Sequence, residues 1–600
     1  MLHYRRGVLL FAAFAIAMFV VATATLRAQS VGDSDPTDAP STRHLCGTDL
    51  LEGVDFNQAL ARTAQLRPAE YARIMSGAKN SARLLGANLV DVPIGTRKDF
   101  ITYDYVEASF TTIQSVLTYK GKYFRLWVDL KDTARITQAI TLEMAEALDS
   151  ITGPSSRNPA KGMLENDQEV FGIPPVNRYS NDYVTDFLFY DVKDGFSGNG
   201  AVLGFFSPND QSDPSVVPFS NGLNLLYIDS NEGLQGGTDG LLGTIAHEYQ
   251  HLIHYARKRN SITFLNEGCS EVASILNGYS SRRDASYLNN TNVPMFRWTR
   301  NTSQAANLLA DYTRAMTWVH YLSEQFGERF LYEFAGASRD SMARVDEALQ
   351  KIGRTDITWQ SILKNFSAAL YVQSSTAEPQ YRFKFRLVGS NSTRAKATTW
   401  TGSNVPDTNI SVKLEPFGIS YYTFTKPGGV VKLTFSNGAN IAVMAIAYTN
   451  GSNTPSEIRE VNPALPIVFG DTATYERITF AVLNMTARQQ TPVWSVAVEE
   501  PPSGVATEPE SGTGFGIATV FPHPLFGTGT VQFRTTGTEP VTMELFDLQG
   551  KRIQQVLGNT QLPSSLHQAT IQTTGLAAGT YLLRLRQGGR TSVRQIIVGD

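Results

Sequence analysis

The spacing of apolar positions changes several times along the chain, and each change marks an expected boundary. Helical spacing runs over about residues 57–85 and again over 136–148. Between and after these lie aromatic and β-branched runs that predict strands at 110–113, 123–128, 201–206 and 223–228. From Asp239 to about Leu370 the i, i+3, i+4 pattern dominates, over 312–326, 329–334 and 341–352. After about Ala395 the period becomes two, with runs at 430–435 and 441–448 separated by Gly, Asn and Pro. This pattern predicts a multidomain chain: an α/β part at 100–240, a helical part at 241–394, an all-β accessory domain at 395–498 and a small β-sandwich at 515–600. Residues 499–514, reading EEPPSGVATEPESGTG, have the composition of a linker.

The N-terminus follows a different rule. Arg5 and Arg6 precede an uncharged apolar stretch over residues 7–26, with small residues at Ala22, Ala24 and Ala28. That order describes an export signal over 1–28, and the stretch also has the length of an uncleaved anchor. Residues 29–99 are expected to be a disordered or pro-segment region, its first part rich in Asp, Ser and Pro. No later segment has a comparable uncharged run, so no integral membrane domain is expected once the signal is removed. Composition changes the picture only by exclusion. The net charge of −3 and the lack of a long basic run give a nucleic-acid partner no electrostatic support. Two cysteines, Cys46 and Cys269, cannot make a disulfide framework in 600 residues.

Histidine is where the chemistry concentrates. Three of the eight histidines fall within His247-Glu248-Tyr249-Gln250-His251-Leu252-Ile253-His254. Two histidines four apart share one helix face, so both imidazoles reach one tetrahedral Zn2+. Glu248, beside the first, is placed to act as general base on a water activated there. Thr238 or Asp239 is expected to cap this helix, with Leu241, Leu242, Ile245, Leu252 and Ile253 on its buried side. His254 lies one further turn along, roughly 10 Å of axial rise from His247, too far to share the ion. A catalytic zinc needs a third protein ligand and an open fourth position. Glu267 and Glu271, four apart in Phe264-Leu265-Asn266-Glu267-Gly268-Cys269-Ser270-Glu271, supply it: one ligates while the other holds a ligand histidine in its tautomer.

HEYQH followed by FLNEGCSE resembles the gluzincin metallopeptidases, and residues 100–390 look most like the hyicolysin-type secreted enzymes. The resemblance implies an α+β zincin-like catalytic domain of mixed sheet plus helical subdomain. It also implies Glu267 as third ligand and Glu271 as the partner of His247. The separation of His251 from Glu267 is shorter than in thermolysin, whose spacing Glu271 fits by count. Peptidases of this type stabilise the oxyanion with a Tyr or His, and Tyr312 is the candidate here; His320, on the same helix, reads as a packed residue. The implied activity is endopeptidase cleavage of protein or peptide substrates. The rivals are an aminopeptidase on the same scaffold, which needs an acidic anchor not identified here, and a non-catalytic metal-containing surface or adhesion protein. The strand at 223–228 is expected to pair with substrate backbone.

Cys46, in His44-Leu45-Cys46-Gly47-Thr48, follows the export region. A thiolate is a strong zinc ligand and can fill an open fourth position, and the segment resembles cysteine-switch pro-segments; a disulfide to Cys269 and a free buried thiol are the alternatives. Cys269 reads as a packed small hydrophobe. At the other end, Phe521-Pro522-His523-Pro524, Asp547-Leu548-Gln549-Gly550 and Gly579-Thr580-Tyr581 suggest an edge strand opened by prolines, a hairpin turn and a returning strand. In order and spacing they resemble the C-terminal sorting domain of the type IX secretion system, with His523 where that domain has Asn. The resemblance implies a secreted or cell-surface protein whose C-terminal domain engages the secretion machinery.

Overall fold

The computed structural model describes residues 44–84, 92–176, 183–195, 201–279, 286–299, 305–372, 374, 376–384, 394–401, 409–427, 429–436, 440–449, 451–469, 475–499, 515–548 and 550–599. The expected export signal at 1–28 lies outside these residues, as does all but the first residue of the expected linker at 499–514. The chain forms two compact units, 1–498 and 499–600.

The first unit is organised on a seven-stranded mixed sheet in the order β1-β6-β7-β5-β4-β3-β2. Its strands are β1 (His44–Cys46), β2 (Arg97–Asp104), β3 (Ser109–Lys120), β4 (Phe124–Asp129), β5 (Thr185–Tyr190), β6 (Ala201–Phe206) and β7 (Leu225–Asp229). All residues of β4, β5, β6 and β7 are buried. Such continuous burial requires cover on both faces, and the alternation of side chains shows what supplies it. Phe187, Phe189, Leu226 and Ile228 enter a core shared with the helices that follow. Their neighbours Leu188, Leu225 and Tyr227 enter a second core with Leu51, Ala59 and Ile74 from the N-terminal segment.

That second core shows that the described part of the expected disordered or pro-segment region is ordered from His44 to Leu84, including the helical stretch expected at about 57–85. From His44 to Leu84 the chain makes β1 and the helices Gly47–Leu50, Phe56–Leu66 and Pro68–Leu84, and their apolar side covers one face of the sheet. β1 runs parallel to β6, with His44 opposite Ala201 and Leu45 opposite Val202. The strand expected to receive substrate, β7, is paired on both edges, parallel to β5 and antiparallel to β6. With its backbone groups already satisfied, it has no edge to offer.

The region 395–498 is all-β, as its period-two pattern predicts. One sheet runs β13 (Glu457–Val461), β12 (Ile441–Tyr448), β15 (Arg477–Asn484), β10 (Ile419–Thr425), β8 (Ala397–Thr401), and the other β14 (Ile467–Phe469), β11 (Val430–Phe435), β16 (Val493–Glu499), β9 (Ile410–Ser411). It belongs to the same compact unit as the helices. In β12 (Ile441–Tyr448) and β15 (Arg477–Asn484), Met444, Ile446, Ala481 and Leu483 pack with the helical core. Val443, Ala445, Phe480 and Val482 between them pack with the second sheet. The expected accessory domain is therefore docked through one whole sheet face.

The second unit has its own apolar core between a sheet of β17 (Gly516–Phe521), β18 (Thr528–Arg534) and β21 (Leu566–Gln572) and one of β20 (Arg552–Thr560), β19 (Val541–Phe546), β22 (Gly579–Gln587) and β23 (Arg590–Val598). The prolines at 522 and 524 follow β17 (Gly516–Phe521) and do not open a strand. His523 Nε2 instead accepts the Ile597 N–H at 2.9 Å. The Asp-x-x-Gly turn forms as expected, Gly550 N–H donating to Asp547 O between β19 (Val541–Phe546) and β20 (Arg552–Thr560). β22 begins at Gly579.

Candidate metal centre

The HEYQH segment lies in the helix Gly237–Arg257, here the motif helix, and residues 245–254 are all buried. No side chain caps it: Gly236 occupies the cap position, and the Thr238 hydroxyl donates to Glu143. The NEGCSE segment lies in the helix Thr263–Leu276, the ligand helix. The two helices pack closely enough that Ser274 Oγ donates to Gly243 O at 2.8 Å.

Side-chain geometry follows from these two helices. His247 Nε2 lies 3.2 Å from His251 Nε2 and 3.1 Å from Glu267 Oε2, and His251 Nε2 lies 3.4 Å from Glu267 Oε1. Cys46 Sγ comes within 3.5 Å of His251 Nε2. These four residues each present one ligand atom, all within 4.8 Å of one another and all buried. Ligands held tetrahedrally at zinc–nitrogen and zinc–sulfur distances lie about 3.3–3.6 Å apart. The separations of 3.4 and 3.5 Å fall in that range, and those of 3.1 and 3.2 Å are slightly shorter.

Proton bookkeeping supports the same reading. His247 Nδ1 faces Glu271 Oε1 at 3.2 Å, so Nδ1 carries the proton. Ser270 Oγ donates to Gln250 Oε1 at 2.6 Å and therefore accepts from His251 Nδ1 at 3.2 Å. Both Nε2 atoms then point inward, toward a carboxylate and a sulfur, and Glu267 Oε1 has no hydrogen-bond partner. A buried carboxylate among converging imidazole nitrogens calls for a positive charge at their centre. Burial pulls the His247 pKa down, but hydrogen bonds to Glu267 and Glu271 outweigh it and push it up to about 9. Burial also opposes ionisation of Glu267, yet His251 and His247 hold its carboxyl well below the usual range. Positive charge at this point is stabilised whether a proton or a metal ion provides it. The residues fit a zinc ion.

Around the four donors stand the other expected residues. Glu248 is 1% exposed, and its Oε2 accepts from Thr48 Oγ1 at 3.0 Å. Tyr312 is fully buried on the helix Ala305–Ala335; its hydroxyl accepts the Cys46 N–H at 3.2 Å, and its ring centroid lies 6.4 Å from that of His247. Glu271 supports His247 as the resemblance implies, and Glu267, not Glu271, joins the donor set. His254 is buried away from the donors, next to Gln250, and His320 pairs with Glu324 at 3.2 Å. Cys269 is a free thiol in the helical core, pushed up to about 12 by burial, and no disulfide joins it to Cys46.

Several site residues carry no signal that sequence reasoning could use. Thr48, Gln250 and Ser270 matter only through distances of 3.0, 2.6 and 3.2 Å that folding creates. Gly204 and Gly268 are spacers. A Cβ on Gly204 would meet Tyr227 O at 2.9 Å and Glu248 Cγ at 3.1 Å, and one on Gly268 would meet Ala315 O at 2.8 Å. A second acidic group, Asp191, Asp229 and Glu232, also brings carboxylate oxygens within 4.8 Å. Its Asp229 oxygens are already occupied by the N–H groups of Val192, Asn231 and Gly233.

Residues 519–599 match the family described as a secretion system C-terminal sorting domain. The C-terminal unit is thus a sorting domain, which marks the chain for type IX secretion and for contact with that machinery. No curated protein matches the chain. Among solved structures, β-glucuronidase of Ruminococcus gnavus is similar at 12% identity over 31% of this chain and 35% of that one, with a TM-score of 0.13. The β-D-glucuronidase of Dictyoglomus thermophilum is similar at 9% identity over 31% and 36%, with a TM-score of 0.13. Scores this low carry no argument, and each match spans little more than a third of the other chain. Among the described residues no helix is long and apolar enough to cross a membrane.

Proposed function

We propose that this chain is a secreted zinc-dependent endopeptidase of zincin-like fold, with His247, His251 and Glu267 as the protein ligands. The observation that carries the reading is the convergence of three buried metal-type donors, His247, His251 and Glu267, with Glu248 buried beside His247 on the motif helix. Zinc bound there would supply a Lewis acid that makes water acidic and polarises a peptide carbonyl. Glu248 takes the proton from the attacking water and passes it to the leaving amine. Glu271 and Ser270 hold the two imidazoles with Nε2 inward. The Tyr312 hydroxyl is the donor for charge developing on the carbonyl oxygen.

A second reading has its own observation. With Cys46 the donor set is closed at four, the arrangement of a structural zinc site, and the chain would then be a metal-containing surface protein. The test uses full-length protein carrying Cys46→Ser, which removes the sulfur from the fourth position. This variant is expected to bind about one zinc and to cleave casein. Adding Glu248→Gln should leave zinc content unchanged and lower cleavage by about 10²–10⁴-fold, the scale of a lost general base. Zinc binding by both proteins with cleavage by neither would replace the peptidase with the surface-protein reading.

A further inference from the structure

The segment His44–Glu52 does more at this site than offer a sulfur. Cys46 Sγ stands among the metal donors. Two residues on, the Thr48 hydroxyl donates to Glu248 Oε2 at 3.0 Å while accepting the Phe206 N–H at 2.8 Å. The Cys46 main chain takes the third group, its N–H donating to the Tyr312 hydroxyl and its carbonyl accepting at 3.5 Å. Metal position, base and tyrosine are therefore all engaged by three consecutive residues.

The segment is also anchored at both ends. β1 lies along β6, and Gly47 fits so closely that a Cβ would meet Tyr105 Oη at 2.5 Å and Val202 Cγ1 at 2.8 Å. Beyond it, Asp49 accepts from Trp298 Nε1 at 2.8 Å, and Glu52 accepts from Thr263 Oγ1 at 2.9 Å on the ligand helix. The strap thus spans from the sheet edge to the second metal-binding helix.

We infer that Thr48 adds a second, independent point to the cysteine-switch contact that the resemblance of the Cys46 segment implies, so that residues 46–48 form a two-point lock that keeps the site latent. Cys46 fills the coordination position needed by water, and Thr48 independently occupies the proton-accepting oxygen of Glu248. The inference rests on the peptidase reading for its consequence, but its first point concerns the metal alone. A lock of this kind explains the placement of a hydroxyl against a buried carboxyl group: the hydrogen bond from Thr48 takes up Glu248 Oε2. Parallel pairing of β1 with β6 at the same time covers the one edge of the sheet beside the motif helix.

The test compares full-length wild type with Cys46→Ser, Cys46→Ser/Thr48→Val and Cys46→Ser/Thr48→Ser, each reconstituted with cobalt(II) and, separately, with zinc. Wild-type cobalt protein should show thiolate-to-cobalt charge-transfer absorption, and the Cys46→Ser proteins should bind one cobalt without it. Casein cleavage by the zinc proteins should rise on the order of tenfold or more from wild type to Cys46→Ser, as the open fraction of molecules grows. Thr48→Val should add about a further tenfold, the scale of a lost hydrogen bond to a charged group, and Thr48→Ser should add nothing. Absence of the band in wild type with cobalt bound would overturn the Cys46 point. Equal cleavage by the three Cys46→Ser proteins would overturn the Thr48 point. If the band is present and no protein cleaves casein, the sulfur contact stands while the peptidase reading and the lock's purpose both fall. Melting curves identify any variant that does not fold, and Cys46→Ala then replaces Cys46→Ser.

Discussion

At the scale of single residues, the site is a set of polar groups that hold one another in place. Glu271 is the clearest case, because it faces His247 Nδ1 and stands outside the grouped donors. Glu271→Gln should keep the fold and weaken zinc binding by roughly 10–100-fold, as loss of an outer hydrogen-bond partner does elsewhere; competition with a chromophoric chelator measures it. Asp210 offers a test outside the site. It accepts from the Asn221 N–H and from Tyr227, but burial outweighs these bonds and pushes its pKa from 3.8 up to about 6. The folded protein therefore binds this proton more tightly than the unfolded chain. Stability from it is full below the unfolded value and is lost as pH rises through about 6. Asp210→Asn should remove that slope, on the order of 3 kcal/mol, from urea unfolding compared at pH 4 and pH 7.

At the scale of elements, the HExxH pattern was legible because helical geometry alone puts residues four apart on one face. The strand runs of β4, β6 and β7 were legible for a related reason: they are covered on both sides and so are rich in apolar residues, whereas β5, equally buried, was not read as a strand. The helix cap was misread because Thr238 faces Glu143 and not the helix's own N–H groups. The packing of the ligand helix against the helix Ala305–Ala335 depends on Gly268, whose position leaves no room for a methyl group between Ala315 and Val319. Gly268→Ala should force the two helices apart, cost about 1–3 kcal/mol in thermal unfolding, and weaken zinc binding by moving its neighbour Glu267.

At the scale of the whole molecule, two compact units with separate cores divide the work. Removal of residues 515–600 should leave the melting transition of the first unit unchanged, since its cores contain no residue from the sorting domain. In cells that run type IX secretion the same truncation should leave the protein behind the outer membrane, read by immunoblot of culture medium against cell fractions. The β region at 395–498 should behave oppositely. Because β12 and β15 complete the helical core, a chain ending at 394 should not fold cooperatively.

Sequence alone determined what depends on local period and local chemistry. The helical face carrying His247 and His251, the carboxylates of Glu267 and Glu271 on one helix, the all-β character after residue 395 and the signatures of the sorting domain are all of this kind. Each arises from residues a few positions apart, where backbone geometry fixes which side chains can meet. Tertiary structure decided everything that joins distant parts of the chain. It placed Cys46 and Thr48 on residues about two hundred positions away, packed the helices of the expected disordered or pro-segment region as one cover of the sheet, and made β7 an interior strand. It also brought Glu267, and not Glu271, within 4.8 Å of the Cys46, His247 and His251 donor atoms. No periodicity encodes such contacts, because they depend on which of several apolar faces pack together and in what register.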